Sequence, residues 1–452
     1  MRARFVQLCV ALGLFTTIFG SACAIFPFNT NKNVGPVVVS RNDKGEVIAP
    51  AKTRARHVTH QDLRDGLFVG IAMSGGGSRA ANFSAAALLE LKELGILEEA
   101  TAISSVSGSS LTAAYYGLFS QTDQWNRDKI REVFLSNFEG QWFLRWLDPR
   151  NIFGYWLSNL DRSNIMEQVF DSILFADKTF GDMPADATPK ILINATSLTQ
   201  QRGFLFTDEG FARIGSPLDK FPLSTAVMAS GAFPGAFANV TLRNYTEAER
   251  YEHLFDGGPS DNLGVETLLQ ELTDLYKSST ENNRPKGCFI VIVDAYTDSW
   301  NLFGNLRDTR AGIVEFIVDT NALEASNVLL SLRRHEILRR IGQKDEKEIG
   351  EETFTTFNLR VNTTDSIECH VWLLTFQRLT HLNDVPHATS ISTIVNNVPT
   401  RYRLIGPHDL SPKKTQDALF EAARILTRED RETLSKICDK FSGRFGGMKC
   451  PQ

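Results

Sequence analysis

Short apolar runs alternate with amphipathic stretches from residue 66 onward, and this alternation predicts the elements of the fold. Leu67 to Met73 is an apolar run of strand length, and a helix is predicted from about Ala80 to Leu94. Ala102 to Val106 and Leu111 to Phe119 repeat the same strand-then-helix order. Two later runs predict further strands, at Lys190 to Ala195 and Phe289 to Asp294. Strands separated by helices are typical of an α/β fold whose mostly parallel sheet is covered on both faces.

The domain organisation follows from the limits of this alternation of apolar runs and amphipathic stretches, which begins at residue 66. Residues 23–65 are polar with little periodicity, so we predict a tether there. No linker rich in proline, glycine or serine interrupts residues 66–441, although the chain length allows about three domains. We therefore predict one domain over 66–452, with a helical region at about 310–347 and helical packing from Lys413 to Phe441.

The first residues have the composition of a targeting segment. Two arginines precede an apolar run from Phe5 to Phe19, and small residues follow it. The run is too short to span a membrane comfortably, so we predict a signal peptide over 1–22. Residues 20–23 (GSAC) resemble a bacterial lipobox, which implies that Cys23 is lipidated and anchors an outer-membrane lipoprotein facing the periplasm. Simple cleavage nearby, giving a secreted or periplasmic protein, is the alternative.

The remaining cysteines suit an oxidising compartment. Once the signal segment and Cys23 are set aside, four cysteines are left, and they allow two disulfides in any of three pairings. These four are Cys288, Cys369, Cys438 and Cys450. Cys438 and Cys450 close the shortest loop and are the preferred pair. The chain has no CxxC motif and its eight histidines are scattered, so we predict no metal site.

Composition and charge exclude other classes of protein. A hydrophobic fraction of 42% is incompatible with an intrinsically disordered chain. The formal net charge is −5, and loss of the two signal arginines makes it −7. Such a chain has no basic excess with which to neutralise phosphates, so we predict no nucleic-acid partner.

A glycine-rich loop follows the first predicted strand and precedes a helix. Gly75, Gly76 and Gly77 lie there, and backbone N–H groups beside a helix N-terminus suit an anion. A tight turn is the simpler alternative. A nucleotide site is not supported, because neither GxxxxGK[ST] nor GxGxxG is present.

A second strand-to-helix junction carries a serine that could act as a nucleophile. Ser107 is flanked two residues away by Ser105 and Ser109, and a sharp nucleophile turn needs small residues at those positions. Serine permits fewer backbone conformations than glycine there. The serines could instead form a polar helix cap.

A third feature is Asp256, which is followed by two glycines. Asp-Gly alone is a common turn. Together, however, the three features occur in the order of the patatin-like phospholipase family, which the chain resembles over about 66–300. The segment from Gly75 to Arg79 is similar to the family's GGGxR element, and the SGS sequence beginning at Ser107 resembles that of related cytosolic phospholipase A domains. Two further stretches fit the family, at 189–199 and 229–234.

The resemblance implies a three-layer patatin-like fold with helical insertions and a particular set of roles. Ser107 is the nucleophile and Asp256 its base, while N–H groups of the glycine loop (Gly75, Gly76 and Gly77) form the oxyanion hole. Arg79 supports that loop or binds a phosphate, with a surface ion pair as the alternative. No cofactor is required. We predict a structural role for Asp261, as a helix cap.

A Ser-His-Asp triad is the rival mechanism, because histidines follow the aspartate in the chain. The downstream candidates are His335, His370, His381, His387 and His408. His253 lies three residues before Asp256 and is also a candidate.

An aromatic insertion is predicted at about 121–186. It contains Trp125, Phe134, Phe138, Trp142, Phe143, Trp146, Phe153, Tyr155 and Trp156. Core packing of two amphipathic helices is one interpretation, and a lid or membrane-contacting wall is the other. Residues 148–150 (DPR) should divide the segment into two helices.

The leading hypothesis is therefore a serine lipid acyl hydrolase of the bacterial envelope, a phospholipase A or lysophospholipase. Its substrate would be a phospholipid or another acyl ester. An acyltransferase with the same dyad is an alternative, and so is an inactive binding or scaffold lipoprotein.

Overall fold

The structure is a computed structural model that describes residues 58–184, 189–246, 250–297, 320–343, 349–407 and 410–450, with three short strand segments nearer the N-terminus. The predicted signal peptide (1–22), Cys23 and most of the predicted tether lie outside the described residues. So do residues 298–319 and 344–348, at the two ends of the helical region predicted at about 310–347.

Twelve strands are described. They are β1 (Thr30–Asn31), β2 (Ser40–Arg41), β3 (Val47–Ile48), β4 (Leu67–Met73), β5 (Ala102–Val106), β6 (Lys190–Ser197), β7 (Arg202–Leu205), β8 (Val240–Asn244), β9 (Arg250–Asp256), β10 (Gly287–Asp294), β11 (Phe354–Arg360) and β12 (Ser366–Thr375). The main sheet has the order β1-β8-β9-β6-β5-β4-β10-β12-β11, with β7 on β6, and β2 pairs with β3 separately. Strands β6, β5, β4, β10 and β12 are mutually parallel, whereas β7, β9 and β11 pair antiparallel at the margins.

Fourteen α-helices are described. They are α1 (Gly77–Glu93), α2 (Gly108–Phe119), α3 (Arg127–Phe134), α4 (Phe138–Trp146), α5 (Pro149–Leu157), α6 (Arg162–Phe170), α7 (Asp208–Arg213), α8 (Leu223–Ser230), α9 (Gly258–Asp261), α10 (Val265–Ser278), α11 (Thr320–Arg340), α12 (Ala388–Val395), α13 (Pro412–Arg424) and α14 (Arg431–Phe441). Two π turns extend α6 and α13, at Asp171–Phe175 and Ile425–Glu429. No helix in the described part of the chain is long and apolar enough to cross a membrane.

The sheet separates two apolar clusters, which makes the fold three-layered. On β4, Val69 and Ile71 face a cluster that includes residues of α1, α2, α13 and α14. The alternate residues Phe68 and Ala72 face a second cluster, built with α10 and α11. Successive side chains of a strand point to opposite faces, so β4 is apolar throughout because it is buried on both sides. The predicted three-layer α/β class is confirmed.

The predicted strands and first helices are present, with two differences at helix starts. α1 begins at Gly77 rather than near Ala80, and α2 begins at Gly108 rather than Leu111. Neither first turn, Gly77 to Arg79 or Gly108 to Ser110, contains an apolar side chain, so neither carries apolar periodicity. The hydrophobic pattern therefore detects each helix only from its second turn onward.

The C-terminal third contributes to the sheet as well as to the helical layer. The helical packing predicted from Lys413 to Phe441 is confirmed as α13 and α14, but β11 and β12 were not predicted. Side chains of β11 are only partly covered, so its sequence lacks a strong apolar signal. Disulfides join Cys288 of β10 to Cys369, its register partner on β12, and Cys438 to Cys450. The preferred Cys438–Cys450 pair is confirmed.

Candidate active site

The predicted site residues meet at one edge of the sheet. Ser107 follows β5, and Asp256 is the last residue of β9. In the register, Val106 is opposite Asn194 on β6, and the next residue of β6, Ala195, is opposite Asp256. Ser107 and Asp256 are 149 positions apart in sequence, and this pairing brings them to the same level of the sheet. They lie on opposite sides of β6, which pairs with both β5 and β9. Parallel strands present their following loops at this edge, where α/β folds place their sites.

Ser107 occupies a sharp, strained turn between β5 and α2. Its backbone has φ 53° and ψ −124°, outside the regions that non-glycine residues normally adopt. The next residue must be glycine, since a Cβ on Gly108 would lie 2.1 Å from the carbonyl oxygen of Gly77. The Ser107 N–H donates to Oγ of Ser230 at 2.9 Å, and its side chain makes no capping bond to α2. The geometry favours a nucleophile turn over the helix-cap alternative.

The flanking serines fit this turn. Ser105 lies within β5, whose extended backbone does not require glycine. Its Oγ is 3.1 Å from Oγ of Ser110. Ser109 donates from Oγ to the carbonyl oxygen of Ser74 at 2.5 Å, at the start of the glycine loop. Each serine therefore forms a buried hydrogen bond that glycine could not.

Asp256 is a buried carboxyl group in contact with the candidate nucleophile. Its side chain is hydrogen-bonded to Ser107, and its Oδ1 accepts from the N–H of Gly258 at 2.8 Å. Asp256 is only 3% exposed. Burial raises its pKa to about 6, against the smaller opposing effect of the two hydrogen bonds. A carboxylate with this pKa is ionised at neutral pH and is a stronger base than an exposed aspartate.

The glycine loop packs directly on the nucleophile turn. A Cβ on Gly75 would lie 3.3 Å from Cβ of Ser107, and Gly76 and Gly77 both have positive φ, of 142° and 58°. The N–H of Gly75 donates to the carbonyl oxygen of Asn262 at 3.3 Å. Gly75 therefore uses its N–H within the protein, which leaves the N–H groups of Gly76 and Gly77 as the candidate oxyanion donors.

Arg79 is buried, so the surface ion-pair alternative is wrong. Its Nη1 donates to the carbonyl oxygen of Val398 at 2.5 Å and to Oγ1 of Thr297 at 3.2 Å. Desolvation lowers its pKa to about 10, so it remains a cation at neutral pH. The guanidinium lies alongside Gly76 of the glycine loop.

One residue of the site had no signal in the sequence. Tyr402, from the C-terminal third, reaches the site, where its hydroxyl lies near Asp256 and Ser107 and donates to the carbonyl oxygen of Gly231 at 3.3 Å. Its local sequence carries no motif, and its place depends on the packing of distant elements. Periodicity and motif order could not have found it.

The other candidates have different surroundings. His253 is three residues before Asp256 on a strand, so its side chain points to the opposite face, where Nδ1 bonds to Thr241 Oγ1 at 2.9 Å. Asp261 accepts from the N–H groups of Val265 and Thr267, which confirms its role as a cap for α10. Among the downstream histidines, His335 lies on α11, His370 on β12, His381 and His387 between β12 and α12, and His408 outside the described residues.

The aromatic insertion contains four α-helices, α3 to α6, rather than the predicted two, and its aromatic side chains are partly buried and partly exposed. Trp125, Phe134 and Phe138 are buried in the core. Helices α4 and α5, which the Asp148 cap separates as predicted, form an apolar hairpin (residues 138–157) with a row of exposed side chains. These are Phe143, Leu144, Leu147, Ile152, Phe153, Trp156 and Leu157, each between 40% and 72% exposed.

Comparison with known proteins identifies a family that the part of the chain holding this site resembles. The model of the family described as patatin-like phospholipase matches residues 71–269, which include Ser107, Asp256 and the glycine loop. No curated protein matches the sequence significantly.

Among solved structures, human GIVD cytosolic phospholipase A2 has 12% identity to this chain and a TM-score of 0.48, covering 87% of this chain and 64% of its own. Its complex with methyl gamma-linolenyl fluorophosphonate and terbium chloride has 13% identity and a TM-score of 0.46, with coverages of 87% and 63%. VipD from Legionella pneumophila has 13% identity and a TM-score of 0.30, with coverages of 86% and 70%. The chain thus spans just under two thirds of the human enzyme's length.

All three TM-scores lie below 0.5, so the assignment depends on the family model and on the motifs within its match. That family supports lipid acyl hydrolase activity in general. Residues 71–269, which contain the candidate site, thus match the patatin-like phospholipase family.

Proposed function

We propose that this protein is a serine lipid acyl hydrolase that uses Ser107 and Asp256 as a catalytic dyad on phospholipids. One observation carries the proposal: a serine in a strained strand-to-helix turn is hydrogen-bonded to a buried carboxylate whose pKa is about 6. The pairing supplies a nucleophile and a base in direct contact, with no imidazole needed between them.

The chemistry follows from these contacts. Oγ of Ser107 attacks the ester carbonyl carbon, and its proton passes to Asp256. The N–H groups of Gly76 and Gly77 donate to the oxyanion, a contribution typically worth about 3 kcal/mol for each donor. Asp256 then returns the proton to the departing alcohol. In the second half, Asp256 takes a proton from water as the water oxygen attacks the acyl-enzyme, and it then returns that proton to Oγ of Ser107 as the fatty acid is released.

The apolar hairpin supports the proposal that the substrate comes from a membrane. Its base is fixed to the domain, since Trp142 packs on Phe237 at 5.8 Å and Phe237 packs on Tyr402 at 5.9 Å. Its exposed side chains form a patch of the kind that monomeric soluble proteins rarely leave in water. Tryptophan and phenylalanine suit the boundary between water and acyl chains. The hairpin therefore connects a lipid surface to the site.

The cellular setting is part of the same proposal. The GSAC tetrad supports lipidation of Cys23, and the polar residues that follow would let the domain reach the bilayer on which it is anchored. We place the protein in the bacterial envelope, as an outer-membrane lipoprotein facing the periplasm.

Removing either dyad member should abolish hydrolysis. Ser107→Ala and Asp256→Asn should each lower fatty-acid release from phospholipid vesicles by at least about 1,000-fold, because nucleophile or base is lost. Asp261→Asn is the matched control, since Asp261 is also a buried carboxyl with a pKa near 6 but caps a helix. Full turnover by Asp256→Asn would contradict the dyad. A wild-type protein that is folded but inert would favour the scaffold alternative.

Activity should depend on ionisation of Asp256. The base works only as the carboxylate, so kcat/KM for a neutral ester should rise with pH through about 6 and then level off. At pH 5 the rate should be about tenfold below the plateau, whereas an unperturbed aspartate would keep most of its activity there. A profile that is flat down to pH 5 would show that Asp256 is not the base.

Polar substitutions in the apolar hairpin should weaken membrane binding and leave the hydrolysis of soluble esters unchanged. Phe153→Ser, Trp156→Ser and Leu157→Ser combined should reduce co-sedimentation with phosphatidylethanolamine–phosphatidylglycerol vesicles by about tenfold or more, because less apolar area enters the bilayer. Hydrolysis of a soluble short-chain ester should stay unchanged. Leu198→Ser, an exposed leucine outside the hairpin, is the control. Undiminished sedimentation of the triple variant would remove the hairpin from the proposal.

Lipidation should depend on a single cysteine. When the full chain is produced in a bacterial host with labelled palmitate, the wild type should take up label and Cys23→Ser should not. Cys9→Ser serves as the control, because Cys9 lies within the predicted signal peptide. Label that persists in Cys23→Ser would contradict the anchor.

A further inference from the structure

Three buried serines form a continuous chain of hydrogen bonds from β6 to the backbone of the candidate nucleophile. They are Ser105, Ser110 and Ser230, each fully buried, and they are called the serine chain below. Oγ of Ser105 lies 3.3 Å from the carbonyl oxygen of Leu192 and 3.1 Å from Oγ of Ser110. Oγ of Ser110 lies 2.9 Å from Oγ of Ser230, which accepts from the N–H of Ser107 at 2.9 Å. The serine chain thus connects the interior of the sheet to the nucleophile turn.

The two ends of the serine chain determine the direction of its protons. A backbone N–H can only donate and a carbonyl oxygen can only accept, whereas each hydroxyl has one proton. Ser105 donates to the carbonyl oxygen of Leu192, so its own oxygen accepts from Ser110. Ser110 has then used its proton, and its oxygen accepts from Ser230. Each hydroxyl therefore holds one orientation, and the low dielectric of the interior strengthens such a chain.

Ser230 also contacts the turn that carries the candidate base. It is the last residue of α8, and its carbonyl oxygen accepts from the N–H of Gly257, the residue after Asp256, at 3.1 Å. Its side chain meanwhile accepts from the backbone of Ser107. One residue thus bonds to the backbone on both sides of the dyad, through its side chain at the nucleophile and through its main chain at the base.

The nucleophile turn needs this support because its backbone is strained. Ser107 has φ 53°, and such a conformation persists only where the surrounding structure holds it. Without the Ser230 hydroxyl, the N–H of Ser107 would lose its acceptor. Relaxation of φ and ψ would then reorient the Cα–Cβ bond and move Oγ of Ser107 away from Asp256. The direction of the nucleophile is therefore set through its backbone.

We infer that Ser230 is a positioning residue for the proposed reaction, and that Ser105 and Ser110 hold its hydroxyl in the orientation that accepts from Ser107. The inference rests on the proposed function. None of the three serines exchanges a proton with substrate, and their contribution is to keep the reactive geometry formed before substrate arrives. It also explains why the position two residues before the nucleophile carries a hydroxyl group.

Ser230→Ala tests the inference because it removes the hydroxyl and retains the main-chain bonds. We expect kcat on a soluble ester to fall about tenfold with KM unchanged, the size of effect typical for loss of one buried hydrogen bond. Thr101→Val is the matched control, since Thr101 is equally buried and its Oγ1 also accepts from a backbone N–H, that of Val69, at 3.1 Å. Thr101 precedes β5, whereas Ser107 follows it, so the control should lose similar thermal stability and keep its kcat.

Two outcomes of that comparison would overturn the inference. One is an equal kcat in Ser230→Ala and wild type. The other is an equal fall in kcat in Ser230→Ala and Thr101→Val, which would show a general loss of stability rather than a lost orientation.

Ser110→Ala tests whether the serines act as one chain. It should lower kcat about threefold, because the Ser230 hydroxyl loses the acceptor that orients it. Combined with Ser230→Ala, it should lower kcat no further than Ser230→Ala alone, since Ser110 reaches the nucleophile only through Ser230. Falls in kcat that multiply in the double variant would contradict the chain. Ser110→Ala keeps every bond between Ser230 and the dyad, so it also tests the chain if Ser230→Ala does not fold.

A further measurement is independent of turnover. Hydrogen exchange of the Ser107 N–H can be followed by NMR of protein labelled with 15N-serine, with Ser107→Ala identifying the signal. Exchange should be at least about tenfold faster in Ser230→Ala than in wild type, and unchanged in Thr101→Val. Unchanged exchange in Ser230→Ala would contradict the inference.

The two kinds of measurement separate the two claims. If the wild type hydrolyses no ester yet Ser230→Ala speeds exchange of the Ser107 N–H, the proposed function fails while the serine chain stands. If the wild type is active and Ser230→Ala matches it in kcat and in exchange, only the inference about the serine chain fails.

Discussion

Burial of the Asp256 carboxyl group is the constraint on which the site depends. Moving a carboxylate into an apolar surround raises its pKa from 3.8 to about 6, which corresponds to a cost on the order of 3 kcal/mol at neutral pH. This cost is present above pH 6 and disappears as the pH falls below the unfolded value near 4, where both states are protonated. The same burial makes this carboxylate, which lies against Ser107, a stronger base than an exposed aspartate.

The sheet provides the rigidity that this arrangement needs. β5 and β9 are both hydrogen-bonded to β6, so the distance between Ser107 and Asp256 is set by strand register rather than by a flexible loop. The strained backbone of Ser107, a cost typically of 1–3 kcal/mol, is held by the N–H bond to Ser230 and by the close contact of Gly108 with Gly77. The positions of Ser107 and Asp256 are thus set by the central sheet.

Sequence predicted those parts of the protein whose signals are local. The apolar runs predicted the four central strands β4, β5, β6 and β10, because a strand buried on both faces is apolar along most of its length. The motif order predicted Ser107 and Asp256, and the glycine triplet predicted the loop. Three features depend on long-range packing and have no local signal in the sequence. They are the hydrogen bond from the Gly75 N–H to Asn262, the burial of Arg79, and the position of Tyr402, from the C-terminal third, beside the site. Strand β11 escaped prediction because its side chains are half exposed.

The most direct test of the Ser107–Asp256 pair is to map a covalent adduct. Treatment of the folded wild-type protein with a lipid-like fluorophosphonate, followed by mass spectrometry of its peptides, should find the phosphonyl group on Ser107. The same treatment of Asp256→Asn should leave Ser107 unmodified over the same period, because the serine has lost its base. An adduct on a different residue, or equal labelling of Ser107 in both proteins, would contradict the account.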